Sequence, residues 1–245
     1  EVLITLGIIG IVAALTIPNL TKHYRDKAII SGVKQAYSIL GNAFISAQDE
    51  YGSANTWAFS EENGAYAASD GWFEYITQFL QLAEDCGKVK GLYTPCYPQE
   101  TKIKTLYGKN NGLPYTHGGI LKNGMYIFVK ATSEMNYASW GWIYVDINGA
   151  KGPNTYGKDI FGFGIYANSS WNKSQQPKLI PIGMREFANL DMSLACLSGD
   201  TYTGYLAEGD FKSGEFCTGW IMRYENVDYL HCKEHLIKTG EHSCK

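Results

Sequence analysis

The stretch DINGAKGPNTYGKDIF, residues 146–161, gathers the oxygen donors that a hard cation wants. Asp146, Asn148 and Asp159 supply side-chain oxygens, while Gly149, Gly152, Pro153 and Gly157 force an irregular loop. Ca²⁺ takes roughly 6–8 oxygens from carboxylates, amides and backbone carbonyls. The D-x-N-G opening is like that of an EF-hand loop, yet the twelfth position holds Gly157 where that loop needs a bidentate Glu. Two readings follow: a calcium loop, or an Asx-turn loop whose carboxylates cap backbone N–H groups.

The second cluster of donor residues lies in the tail, at His231, Cys232, His235, His242 and Cys244. Cys-x₂-His followed by His-x-Cys offers four zinc ligands. The competing reading is a disulfide. Six cysteines, Cys86, Cys96, Cys196, Cys217, Cys232 and Cys244, form an even set. In an exported chain that argues for disulfides. Sequential pairing, Cys86–Cys96, Cys196–Cys217 and Cys232–Cys244, closes three modest loops.

No nucleophile elbow, phosphate loop or H-E-x-x-H pattern is present, so the sequence advertises no enzyme. Gly162, Gly164 and Ala167 fit G-x-G-x-x-A, but no helix pattern follows them, and the dinucleotide reading fails. His117 stands isolated, and His23 lies among polar residues. Asn168 and Asn172 each open an N-x-S triplet that fits a glycosylation acceptor. A net charge of −3 gives no footprint for general nucleic-acid binding.

The elements that must position these residues are legible in part. HGGILKNGMYIFVKA places Asn123-Gly124 between two strand-like runs, a hairpin signal. SWGWIYVDI and FGFGIYA read as the next strands, and three or four antiparallel strands make the expected sheet. Residues 52–69 read as a loop. Asp70 is placed to cap a helix from Gly71 to about Glu84, with Trp72, Phe73, Ile76, Phe79, Leu80 and Ala83 on its buried side. WIMRYENVDYL is expected to add a strand.

Upstream of all this runs EVLITLGIIGIVAALTIPNL. Residues 2–17 carry no charge, close to the roughly 20 apolar residues that span a bilayer. Beyond Pro18, Ile29, Val33, Ala36, Tyr37, Leu40, Ala43, Phe44 and Ala47 recur at helical spacing. Residues 1–51 therefore read as one long helix, apolar all round and then amphipathic, with Gly10 to Pro18 as a place for bending or local melting.

Glu1, Gly10 and Pro18 in this setting resemble the N-terminus of type IV pilins and type II secretion pseudopilins. The resemblance is close over about twenty residues and looser along the rest of the helix. It implies a helix that sits in the inner membrane and then passes into a filament core, where the Glu1 equivalent pairs with the terminal amine of a neighbour. Members usually begin with an N-methylated Phe four residues before this Glu. It also implies an α+β head, with calcium near the loop comparable to 146–161 in some pseudopilins.

The expected organisation is a stem helix over 1–51, with 1–24 as the membrane or filament part, and a globular extracellular head over 52–245. The leading expectation is a pilin, assembled as a homopolymer with inner-membrane machinery and exposed on the cell surface. The alternatives are a secretion-system pseudopilin and a helix-anchored extracytoplasmic enzyme or binding protein. No cofactor is required, Ca²⁺ being the one candidate.

Overall fold

A computed structural model describes residues 2–54, 57, 65–91, 96, 103–111, 113–134, 138–166, 177–184, 186–187, 190–197 and 214–244. The chain is α+β. Helix α1 (Val2–Tyr51) is followed by α2 (Ala65–Thr77). Then come β1 (Leu82–Gly91), β2 (Ile103–Lys104), β3 (Asn110–Asn111), β4 (Leu113–Leu121), β5 (Tyr126–Glu134), β6 (Ala138–Asp146), β7 (Ile160–Tyr166) and β8 (Lys178–Pro181). Two-residue strands β9 (Glu186–Phe187) and β10 (Leu190–Asp191), a 3₁₀ turn (Met192–Leu197) and α3 (Cys217–Tyr224) come next. A second 3₁₀ turn (Asp228–Leu230) and α4 (Lys233–Thr239) end the order.

Six strands form one antiparallel sheet in the order β1-β4-β5-β6-β7-β8. Its centre is a meander, in which each strand turns back beside its predecessor. Lys122–Met125 makes the β4–β5 turn, where Gly124 takes φ +86° and Asn123 Oδ1 accepts from the Met125 N–H at 3.1 Å. An Asn-Gly pair does this at little steric cost.

The register fixes which residues share a face. Ile127 lies opposite Val145, Val129 opposite Ile143, Val145 opposite Phe161 and Ile143 opposite Phe163. This face meets α1, where Tyr37 stacks on Phe163 at 6.0 Å. Helix α2 covers the β4 end of the same face, with Phe73 stacked on His117 at 3.9 Å. On α1, Ile29, Val33, Ala36, Leu40, Ala43, Phe44 and Ala47 are buried, a spacing of three or four residues that keeps one stripe on the sheet. Phe44, Trp57 and Trp72 close the far end with ring centroids 5.4–6.4 Å apart. Tyr144 and Gly162 point to the opposite face, where Glu215 accepts from the Tyr144 hydroxyl at 3.2 Å.

Several expectations are corrected. Helix α2 begins at Ala65, inside the expected loop, so Asp70 lies within it. It ends at Thr77, where the Phe79 and Leu80 N–H groups reach back to the Ile76 and Thr77 carbonyls. The segment expected to finish that helix becomes β1, which leaves Ala83 exposed and Phe79 partly so. WIMRYENVDYL is not a strand: most of it forms α3 and the 3₁₀ turn after it. Cys217 opens α3 and is bonded to Cys196. Gly219 lies directly on Gly183, an approach that a strand carrying a side chain there could not make.

Helix α1 runs unbroken from Val2 to Tyr51 with Pro18 inside it, so the stretch from Gly10 to Pro18 is helical rather than melted. A Cβ on Gly219 would sit 2.3–2.7 Å from Gly183 backbone atoms, whereas one on Gly41 in α1 meets nothing within 4 Å. Gly219→Ala should therefore cost about 1–3 kcal/mol. Gly41→Ala should add about 0.5–1 kcal/mol. At roughly 2–4 °C per kcal/mol for a chain of this size, thermal unfolding followed by circular dichroism should move in opposite directions for the two variants.

Candidate functional site

The first half of α1 is the largest chemical anomaly on the molecule. From Val2 to Leu20, eleven large apolar side chains are exposed, Leu3 at 84% and Leu15 at 70%. The helix is long and apolar enough to cross a membrane, with a mean hydropathy of 2.1 over its best window and none of that window buried. Its few hydroxyls are satisfied internally. Thr5 donates to the Val2 carbonyl, Thr16 to Val12, and Thr21 to Ile17 and Pro18, at 2.8–3.0 Å. Such back-bonding lets a hydroxyl sit in an apolar medium without an unmet donor. Gly10 and Pro18 lie within this rod, and no neighbour approaches within 4 Å of a Cβ placed on Gly10. Glu1 lies outside the described residues.

The rod is clasped to the rest of the chain at its middle. His231 Nε2 lies 2.9 Å from a carboxylate oxygen of Asp26. Lys34 pairs with Glu225, holding that carboxyl below its ordinary value. Gly32 presents bare backbone to the Ile147 side chain, which would lie 3.0 Å from an added Cβ. None of these residues stands out by type, and only one clue was visible. Asp26 is the sole acid between positions 2 and 48, set among Lys22, Arg25 and Lys27.

The oxygen-rich loop is a structural knot. Asp159 is buried, and its carboxylate accepts the Asn154 N–H at 2.7 Å, the Thr155 N–H, and the Asn148 side chain. Burial pushes its carboxyl up from the ordinary value, against the pull of those donors. Asp146 is also buried and accepts the Asn148 N–H at 3.1 Å, an Asx turn. Lys104 N–H donates to the Asn154 carbonyl at 3.0 Å, and the Gly157 carbonyl accepts from the Tyr229 hydroxyl at 2.6 Å. The residues named as cation ligands thus meet in space, with their carboxylates on backbone N–H groups, and a metal there would have to displace those donors. No group of three or more His, Cys, Asp or Glu suited to a metal occurs among the described residues.

The tail cluster is divided the same way. The structure joins Cys232 to Cys244, Cys86 to Cys96 and Cys196 to Cys217, which leaves no thiolate in the tail for zinc. His231 turns to Asp26, His235 lies 2.7 Å from Glu241, and His242 stacks on Tyr224 at 4.2 Å. Asn168 and Asn172 lie outside the described residues. His117, isolated in the sequence, sits 2.7 Å from Asp85 across β1 and β4. With one ring face on Phe73, the pair fastens an edge strand.

Asp159→Ala would strip the acceptor from several buried N–H groups, at about 1–3 kcal/mol for the first alone. Its melting temperature should fall by about 5–10 °C, and millimolar Ca²⁺ should leave the wild-type midpoint unmoved; a calcium-dependent rise would restore the metal reading. A pH profile tests the β1 fastener. Burial pushes the Asp85 carboxyl up, but the Gly87 N–H and the His117 imidazole outweigh it and hold it below its ordinary value of 3.8. A carboxyl so depressed stabilises the fold above its unfolded pKa, and that support is lost as pH falls through the folded value. The stability gap between wild type and Asp85→Asn should be present at about pH 6 and close below about pH 4.

No family model matches this chain, and neither a curated protein nor a solved structure matches it.

Proposed function

We propose that the chain is a structural subunit, a pilin-like protein whose apolar helix is held in a membrane and then packs with other copies in the core of an extracellular filament. One observation carries this reading: an unbroken helix leaves its first half wholly unburied and seats its second half on a disulfide-bonded body. Complete burial of one large aliphatic side chain is worth about 1.5–3 kcal/mol. Eleven of them, each more than half exposed, leave on the order of 10–20 kcal/mol unclaimed in water. A bilayer or a bundle of like helices would claim it.

The motif of Glu1, Gly10 and Pro18 supports the filament over a plain anchor. In an apolar bundle a lone carboxylate needs a cation, and a neighbour's terminal amine supplies one. Partners are then other copies of the chain and the inner-membrane machinery that moves it, with no role for general nucleic-acid binding. The disulfides support an oxidising compartment for the body. A pseudopilin would share the same stem, and a short periplasmic fibre in place of a long surface one would identify it.

Negative-stain electron microscopy of sheared surface material should find long filaments that an antibody to the body labels along their length. Glu1→Ala should keep the disulfides and melting temperature of the wild type and yield few or no filaments. Deleting residues 1–24 should give a soluble monomer by size-exclusion chromatography. Normal filament yield from Glu1→Ala would refute the role of the carboxylate, and a polymerising deletion would refute the helix-core model.

A further inference from the structure

Immediately past the apolar rod, α1 carries Lys22, His23, Tyr24, Arg25 and Lys27, all exposed. At about 100° per residue the three permanent cations spread around the circumference rather than along one side. None is ion-paired with a described residue. The one acid among them, Asp26, is half-buried and turned to His231 of the body, and the three cations outnumber it, so the segment keeps a net positive charge. Two charged residues that flank His231 in the chain are engaged within the body. Asp228 accepts the Cys244 N–H at 2.7 Å, and Lys233 lies 3.4 Å over the Tyr107 ring.

The position of this ring matches a bilayer. Val2 to Leu20 rises about 28 Å, against a hydrocarbon core of about 30 Å. Lys22 to Lys27 then lie about 3–10 Å beyond it, the depth of the headgroup layer. Tyr24 adds the amphipathic aromatic enriched at that level. Orientation does not explain the cations. Lys and Arg normally gather on the cytoplasmic side, whereas the disulfide-bonded body places these on the exported side.

We propose that Lys22, Arg25 and Lys27 form a collar that binds the phosphate groups of anionic lipids while the helix spans the membrane. The proposal rests on the membrane reading above. The collar also acts as a depth stop: cations that keep phosphate contacts hold the body at a fixed height over the surface.

Electron spin resonance of the full chain in phosphatidylcholine bilayers tests this, with spin-labelled phosphatidylglycerol or spin-labelled phosphatidylcholine as the probe. The wild type should immobilise the anionic probe with at least about threefold preference. High salt should erase that preference, and so should the triple variant K22Q/R25Q/K27Q. Equal association of both probes, or a preference that survives salt or is kept by a folded triple variant, overturns the collar. If the triple variant fails to insert, the salt arm on the wild type decides. A wild-type chain that does not enter the bilayer overturns the membrane reading and the collar with it.

Discussion

The arrangement depends on one buried carboxylate. Asp159 gathers the N–H groups of Asn154 and Thr155 and so fixes the path of residues 147–159. That loop touches α1, β2, the β4–β5 turn, α3 and the 3₁₀ turn after it. Ile147 fits the gap left by Gly32 on α1, Lys104 of β2 bonds on both sides of Thr155, and Gly157 leaves room for the Cys217 sulfur and receives the Tyr229 hydroxyl. A charge so deeply buried is costly unless several donors meet it, and here several do. The carboxylate turns a glycine-rich segment into a rigid junction between helix, sheet and tail.

The tail then closes the clasp on α1. Lys34–Glu225 and Asp26–His231 are exposed or partly exposed pairs. Pairs of that kind contribute little to stability. Their value is geometric, because they set where the rod leaves the body. Disulfides give the same region its stiffness: Cys196–Cys217 anchors the start of α3, and Cys232–Cys244 ties the end of the chain beside Asp228.

Much of this was legible in the sequence, for physical reasons. The α1 stripe, the Asn123-Gly124 hairpin and strands β6 and β7 each combine a clear period with turn chemistry or β-branched and aromatic residues. Strand β1 was not legible, because LAEDCGKVKG is polar, contains glycine, and pairs with β4 only through irregular steps. The next strand, β4, accepts it because Gly119 makes room for Leu82 and Phe73. Helix α3 misled for the opposite reason: Trp220, Ile221 and Tyr224 favour strands locally, but a disulfide and a glycine-to-glycine contact override them. In the oxygen-rich loop the residue types were correctly singled out. Only geometry shows that the loop's own N–H groups take the carboxylates. The partnerships of Asp26 and His231 join residues 205 positions apart, and no local pattern announces such a pair.

A helix coated mostly with aliphatic side chains carries little rotational address. Apart from one lower side, where Gly7, Gly10, Ala14 and Pro18 recur three or four residues apart, residues 2–20 offer aliphatic surface in every direction, and none of them touches the body to say which way it faces. That information begins at Asp26, the first side chain on α1 that grips the body from one side. The rotation of the body about the rod is thus set between Asp26 and Ala47, by the clasp and the buried stripe, well away from the greasy surface that they steer.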